Sequence, residues 1–231
     1  MSAADPGRKL KALLKKLKAA HGEPVPQPVH LFADCEALLG LLVQSFLVWE
    51  ASTAQAGSAI KRIVSQVVDC NELRVCVPEE LVRLLGPRYP KGEERAERLL
   101  ASLQDVYTRE HEIALGSLGS MPKRDAMHYL MSLRGMAPFV ASRVGLLGLG
   151  VHAVPIDDRL CAYLMAEGVA IADQTPAGLA GWLERQLRAG EAVEAYLLIE
   201  EGCDKAPAAK PRAERTKKAK APSKKQASRK E

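Results

Sequence analysis

Residues 126–160 read AMHYLMSLRGMAPFVASRVGLLGLGVHAVPIDDRL, and their punctuation decides the fold. Ser120-Met121-Pro122 opens a helix that runs to Leu133, with Asp125 in its first turns. Arg134-Gly135-Met136-Ala137 is too short for anything but a tight hairpin. Pro138, at a first helical position, restarts a helix to Leu147, and Gly148 and Gly150 break it. Pro155-Ile156-Asp157 then leads into a helix from Asp158 to Glu167. A glycine-containing hairpin between helices can present backbone N–H groups outward. With the N-terminus of the next helix these make a small anion seat suited to a phosphate.

The rest of the chain carries the same helical punctuation. Of 231 residues 47% are hydrophobic and only 4% aromatic, and Leu, Ala, Glu, Lys and Arg dominate, which predicts an all-α protein. Leu10, Leu13, Leu14 and Leu17 sit at helical spacing among lysines over residues 8–20, a short basic amphipathic helix. Pro24 to Pro28 is a stiff linker. Asp34 is placed to cap a run from Cys35 to Ala51 that is apolar nearly all round and therefore buried at the domain centre. Further helices are expected over Thr53–Val68, Glu79–Leu85, Glu93–Leu115, Pro176–Ala189 and Glu191–Glu201. No apolar stretch reaches the ~18 residues of a membrane span, and the first twenty residues lack a secretory pattern. Cys35, Cys70, Cys76, Cys161 and Cys203 are dispersed and contain no Cys-x-x-Cys, which points to free thiols in a reducing cytosol.

The formal net charge of +5 is segregated. Residues 1–22 carry six Lys/Arg against one Asp, and residues 205–231 carry eleven Lys/Arg against two Glu, while the body between is acidic by nine charges. The tail KAPAAKPRAERTKKAKAPSKKQASRKE has no large apolar residue and is expected to be disordered. Its Lys217, Lys218, Lys220, Lys224 and Lys225 would give a sequence-independent, salt-sensitive attraction to nucleic acid. A basic tether can hold an acidic body near a polyanion by raising effective concentration.

The hairpin segment resembles the helix-hairpin-helix plus Gly-Pro-Asp region of the DNA glycosylases related to endonuclease III. Leu133-Arg134-Gly135-Met136-Ala137 falls on the family's hairpin, Phe139-Val140-Ala141-Ser142-Arg143 on its second helix, and Pro155-Ile156-Asp157 on its aspartate loop. The helix Cys35–Ala51, with Ser45 and Glu50, resembles the family's early helix at the DNA-facing edge. There are departures. Ala137 stands where the family has its second hairpin glycine, and Phe139 where lyase members have a lysine. Leu47 falls at the helix-invading glutamine, with Gln44 one turn away, and no cysteine follows Cys203 to hold an iron–sulfur loop.

The resemblance implies a two-lobed all-α fold in three segments: a basic helix over 1–22, a glycosylase-like domain over 23–204 and the tail over 205–231. It implies a partner, double-stranded DNA, contacted by Arg134, Gly135, Met136, Ala137 and Arg143, to which the charge of the tail adds its lysines. The expected chain is a monomer with no cofactor, metal or membrane, cytoplasmic and nucleoid-associated. Asp157 is the candidate catalytic residue for hydrolysing an N-glycosidic bond with no lyase step. The bland alternative, which the degenerate surroundings favour, is that it only caps the helix at Asp158, and the two roles are compatible. A catalytically inactive DNA-binding protein is the alternative, and a helical scaffold without nucleic acid the third reading. Removing residues 205–231 should weaken retention of duplex DNA at low salt in a filter-binding comparison; unchanged retention favours the scaffold.

Overall fold

The computed structural model describes residues 5–25, 31–170 and 174–206. Lys217, Lys218, Lys220, Lys224 and Lys225 lie outside the described residues, as does most of the tail. Among the described residues there is no strand, and no helix is long and apolar enough to cross a membrane.

Helix α1 (Pro6–His21) starts on Asp5, whose carboxylate accepts the Gly7 N–H, and on Pro6 at the first helical position. Its stripe of Leu10, Leu13 and Leu17 is buried. Helix α2 (Ala37–Val48) is apolar on every side and central, with Leu39, Leu42, Val43, Phe46 and Leu47 fully buried. Helices α3 (Thr53–Val64), α4 (Cys70–Val75), α5 (Pro78–Leu85), α6 (Gly92–Glu110), α7 (Lys123–Ser132) and α8 (Pro138–Gly148) build one lobe around it. Helices α9 (Asp158–Ala166), α10 (Pro176–Gln186) and α11 (Ala192–Lys205) build the second, and α1 packs on α11. The sequence expectation of two lobes is met.

The helices expected to reach Leu115 and Val68 end at Glu110 and Val64, and three further details differ from the sequence expectation. Asp34 does not cap α2: the helix begins two residues later at Glu36, which makes no side-chain cap bond. The Glu36 carboxylate accepts the Leu115 N–H at 2.5 Å instead. Helix α4 was not expected, yet Asp69 caps it through the Glu72 N–H at 2.7 Å. Arg143 is not a surface residue available to phosphate. It is 3% exposed, and its Nε donates to Tyr196 Oη at 3.0 Å and lies 3.4 Å from Glu200 Oε1. Its Nη1 donates to Gln44 Oε1 and Ser45 Oγ. An arginine from α8 thus joins α2 and α11, and a buried guanidinium needs this carboxylate and these acceptors to be tolerated.

The end of α2 is held by a second buried arginine. Its last carbonyls have no helical donors and need partners from elsewhere. Arg95, on α6 and fully buried, donates to Phe46 O and Trp49 O, and to Pro90 O at 2.8 Å. Tyr89 Oη donates to Leu47 O at 2.7 Å, and the Ala51 N–H to Val48 O at 2.8 Å. No acid bonds Arg95, and burial brings its pKa down to about 10. The partial negative charge at the C-terminus of α2 compensates its own. Replacing Arg95 by Met leaves three carbonyls without donors. It should lower unfolding free energy by about 3 kcal/mol or more in urea titrations.

Candidate functional site

The turn between α7 and α8 is seated on α6. Gly135 has φ +77°, and a Cβ there would stand 2.5 Å from the backbone oxygen of Arg98, so both its conformation and its space require glycine. Arg98 Nη1 donates to Gly135 O at 3.3 Å, and Ser102 Oγ to Arg134 O at 2.7 Å. The Asp105 carboxylate accepts the Arg134 N–H at 2.9 Å, and Arg109 donates to Ser132 Oγ and O. The carbonyl side of the hairpin is therefore committed to α6.

The donor side is freer. Met136 N–H closes the turn onto Leu133 O at 3.1 Å. The Gly135 and Ala137 N–H groups donate to no acceptor among the described residues. Ala137, itself 2% exposed, precedes α8 without a side-chain cap, so the N–H groups of that first turn have no side-chain partner among the described residues. Ala137 adopts φ −95°, an ordinary extended conformation, and no glycine is needed there. The Arg134 side chain is exposed, and Gly135 and Met136 are half-buried. Phe139 is 4% exposed and packs in the core. Leu47 is fully buried in α2 and cannot reach outward as an invading residue would.

Asp157 caps α9: its Oδ1 accepts the Leu160 N–H at 2.8 Å. Its Oδ2 accepts the Glu50 N–H, across the lobe junction, at 2.7 Å. The side chain is 3% exposed. Burial raises its pKa, against the lowering by the two N–H groups. Glu50 is one of three non-glycine residues with positive φ among those described, at 58°. The bonds around α2's last turn and the Asp157 carboxylate hold it there. Such strain is a common mark of functional turns. Glu50 Oε1 accepts the Asp158 N–H at 3.1 Å and lies 3.7 Å from Lys91 Nζ. Burial first, and then the Asp157 charge, raise the Glu50 pKa.

A continuous set of contacts joins the hairpin to this carboxylate pair. Arg98 touches Gly135 on one side and stands 5.6 Å from the centre of the Trp49 ring on the other. Lys91 Nζ lies 4.7 Å from the same ring and beside Glu50, which holds Asp157. Trp49 itself is 8% exposed, a core residue as expected. On the far side of the turn, Asp204 accepts the Thr53 N–H at 2.9 Å and pairs with Arg159 at 2.6 Å. A cavity of ≈ 530 Å³ opens beyond Gln55, lined also by Arg62, Arg83 and Arg88. Asp157 lines neither it nor the ≈ 450 Å³ cavity between α1 and α11. Among the described residues no group of His, Cys, Asp and Glu is arranged to hold a metal.

Of the residues the sequence singles out, Arg134, Gly135, Met136, Ala137 and Asp157 fall along this line of contacts and Arg143 does not. Glu50, placed by the resemblance on the early helix at the DNA-facing edge but given no catalytic role, joins it, as do Lys91, Arg95 and Arg98, which had been assigned no role. The signal for Glu50 was a lone acid closing an apolar run; for the other three there was none, since they come from a different helix.

The chain matches no family model and no curated protein. Among solved structures it resembles a non-covalent endonuclease III–DNA complex, with a TM-score of 0.64, 15% identity and 84% of each chain covered. It also resembles MBOgg1 in complex with a low-affinity DNA ligand, with a TM-score of 0.62, 16% identity, and 86% of this chain and 70% of that one covered. The H. pylori 3-methyladenine DNA glycosylase MagIII, bound to 1,N6-ethenoadenine, gives 0.57 at 12% identity, over 87% of this chain and 94% of that one. The fold is therefore the endonuclease III-like glycosylase fold.

Because the Glu50 and Asp157 carboxyls have raised pKa values, the folded state binds more protons than the unfolded chain across that window. Their contribution to stability therefore falls as pH rises through it. Glu50→Gln keeps an acceptor for the Asp158 N–H and removes one titration. The variant should lose stability less steeply than wild type from about pH 4.5 upward, read by urea unfolding at stepped pH.

Proposed function

We propose that this protein binds duplex DNA across the hairpin and the lobe junction and hydrolyses the N-glycosidic bond of an extruded nucleotide, with no lyase step. The observation that carries the reading is the unbroken contact from the open hairpin donors, through Arg98 and Trp49, to the Glu50–Asp157 pair. The Gly135 and Ala137 N–H groups and the first turn of α8 would take a phosphate, and the exposed Arg134 a neighbouring one.

In this reading the ionised Asp157 stabilises positive charge growing on the deoxyribose as the base departs. It does so through space, because both its oxygens already accept N–H donors. Glu50, whose raised pKa suits proton transfer, takes a proton from the attacking water. The water oxygen bonds to C1′, the C1′–N bond breaks, and the base leaves with the electron pair and receives a proton. Two features support hydrolysis over Schiff-base chemistry. Phe139 replaces the lysine that the resemblance leads one to expect. The Lys91 amine lies 4.7 Å from the centre of the Trp49 ring and 3.7 Å from Glu50 Oε1, already held by these two contacts.

The 3% exposure of Asp157 favours the second reading, a DNA-binding protein without catalysis. Base release from a panel of damaged and mismatched duplexes decides between them, alongside equilibrium binding to the same duplexes. Hydrolysis predicts release by wild type, with loss of about a hundredfold or more in Asp157→Asn and in Glu50→Gln. Binding by both variants should stay within about threefold of wild type, a change worth under about 1 kcal/mol. Binding without release from any duplex establishes the second reading, and absence of both removes the proposal.

A further inference from the structure

Cys35 and Cys70 are thirty-five positions apart in the sequence, and their Sγ atoms stand 3.0 Å apart in the structure. A covalent S–S bond of about 2.05 Å is roughly one ångström of approach away. Both positions are fixed by their own backbone. Cys35 donates its N–H to Phe32 O at 3.1 Å in the loop before α2. Cys70 opens α4, whose start is held by the Asp69 cap and by Glu72 Oε2, which accepts the Val68 N–H at 2.6 Å. The two thiols differ in access: Cys35 is half-buried and Cys70 is 5% exposed. They also differ in acidity. The Cys70 thiol donates to Cys35 sulfur, which lowers the Cys35 pKa and raises that of Cys70. The pair thus has an entry thiol and a resolving thiol. Cys76, Cys161 and Cys203 donate to carbonyl oxygens, as Cys35 also does to Glu36 O at 3.6 Å, but none of the three meets a second sulfur.

We propose that Cys35 and Cys70 form a thiol–disulfide exchange site. It takes a small-molecule disulfide of the glutathione type and closes into a bond between the α2 entry and α4. The Cys35 thiolate attacks one sulfur of RSSR, forming Cys35–S–SR and releasing RS⁻, which takes a proton from water. Cys70 then gives its proton to water and attacks the Cys35 sulfur, expelling the second RS⁻, which is protonated in turn. The protein loses two electrons and the small disulfide gains them, yielding two RSH. The bond closes a long loop of the first lobe, which restricts the unfolded chain and stabilises the fold.

The test uses the full chain equilibrated with oxidised glutathione. Thiol titration after denaturation should fall from five to three. Peptide mapping without reductant should join the Cys35 and Cys70 peptides, and Tm should rise by about 5 °C or more. Cys70→Ser should stop at a glutathionyl adduct on Cys35, and Cys35→Ser should leave Cys70 unmodified with no rise in Tm. Should either variant fail to fold, a short pulse of iodoacetamide on the wild type must label Cys35 before Cys70. Retention of five thiols, joining of a different pair, or earlier labelling of Cys70 overturns the proposal.

Discussion

A buried guanidinium whose hydrogen bonds go to carbonyls and to no carboxylate organises this molecule. Arg95 sits on one helix and satisfies the terminal carbonyls of another, and so fixes where α2 stops and how the chain leaves it. An apolar helix buried on all sides can end inside a protein only if its last acceptors find donors there. Here Arg95, Tyr89 and one local turn supply them. The consequence is local and sharp: Trp49 turns its ring towards Lys91 and Arg98, and Glu50 is forced to positive φ. Its N–H then meets the carboxylate of Asp157, so the lobe junction is defined by the same few bonds that terminate the helix.

The second buried arginine has a different task. Arg143 lies where α2, α8 and α11 meet, and its charge is answered by Glu200 and by neutral acceptors. Such a group adds little net stability over a well-packed apolar set, but removing one partner strands the other. It therefore keys the lobes in one relative position. The Thr53–Asp204–Arg159 contacts do the same from the outer face. The second fastening adjoins Glu50 and Asp157 in the chain, so the geometry there depends on the seam as well as on either lobe.

Much of this architecture was legible beforehand, because helix boundaries here are written in local chemistry. Pro138 starts α8, Pro176 starts α10 and Asp157 caps α9, each at the residue the punctuation indicated. The short α4 was missed because six residues show no apolar period, although Asp69 and Glu72 carried its cap. Arg143 was misplaced for a readable reason: it shares a helix face with Phe139 and Val140, which is the buried one. The remainder could not be read. Lys91, Arg95 and Arg98 approach Trp49 and Glu50 through the packing of α6 on α2, and Cys35 meets Cys70 through a fold-dependent juxtaposition that no local pattern encodes.

The seat of Gly135 against the main chain of Arg98 leaves no room for a side chain, and the bonds to Arg98, Ser102 and Asp105 hold the hairpin on α6. On the proposed DNA-binding reading, a hairpin held in this way transfers the work of adaptation to whatever it grips. For a double helix that work is kinking and unstacking, which is easiest where pairing or stacking is already weakened. Stiffness at one backbone-to-backbone contact would thus sort duplexes by their mechanical compliance before any side chain inspects a base.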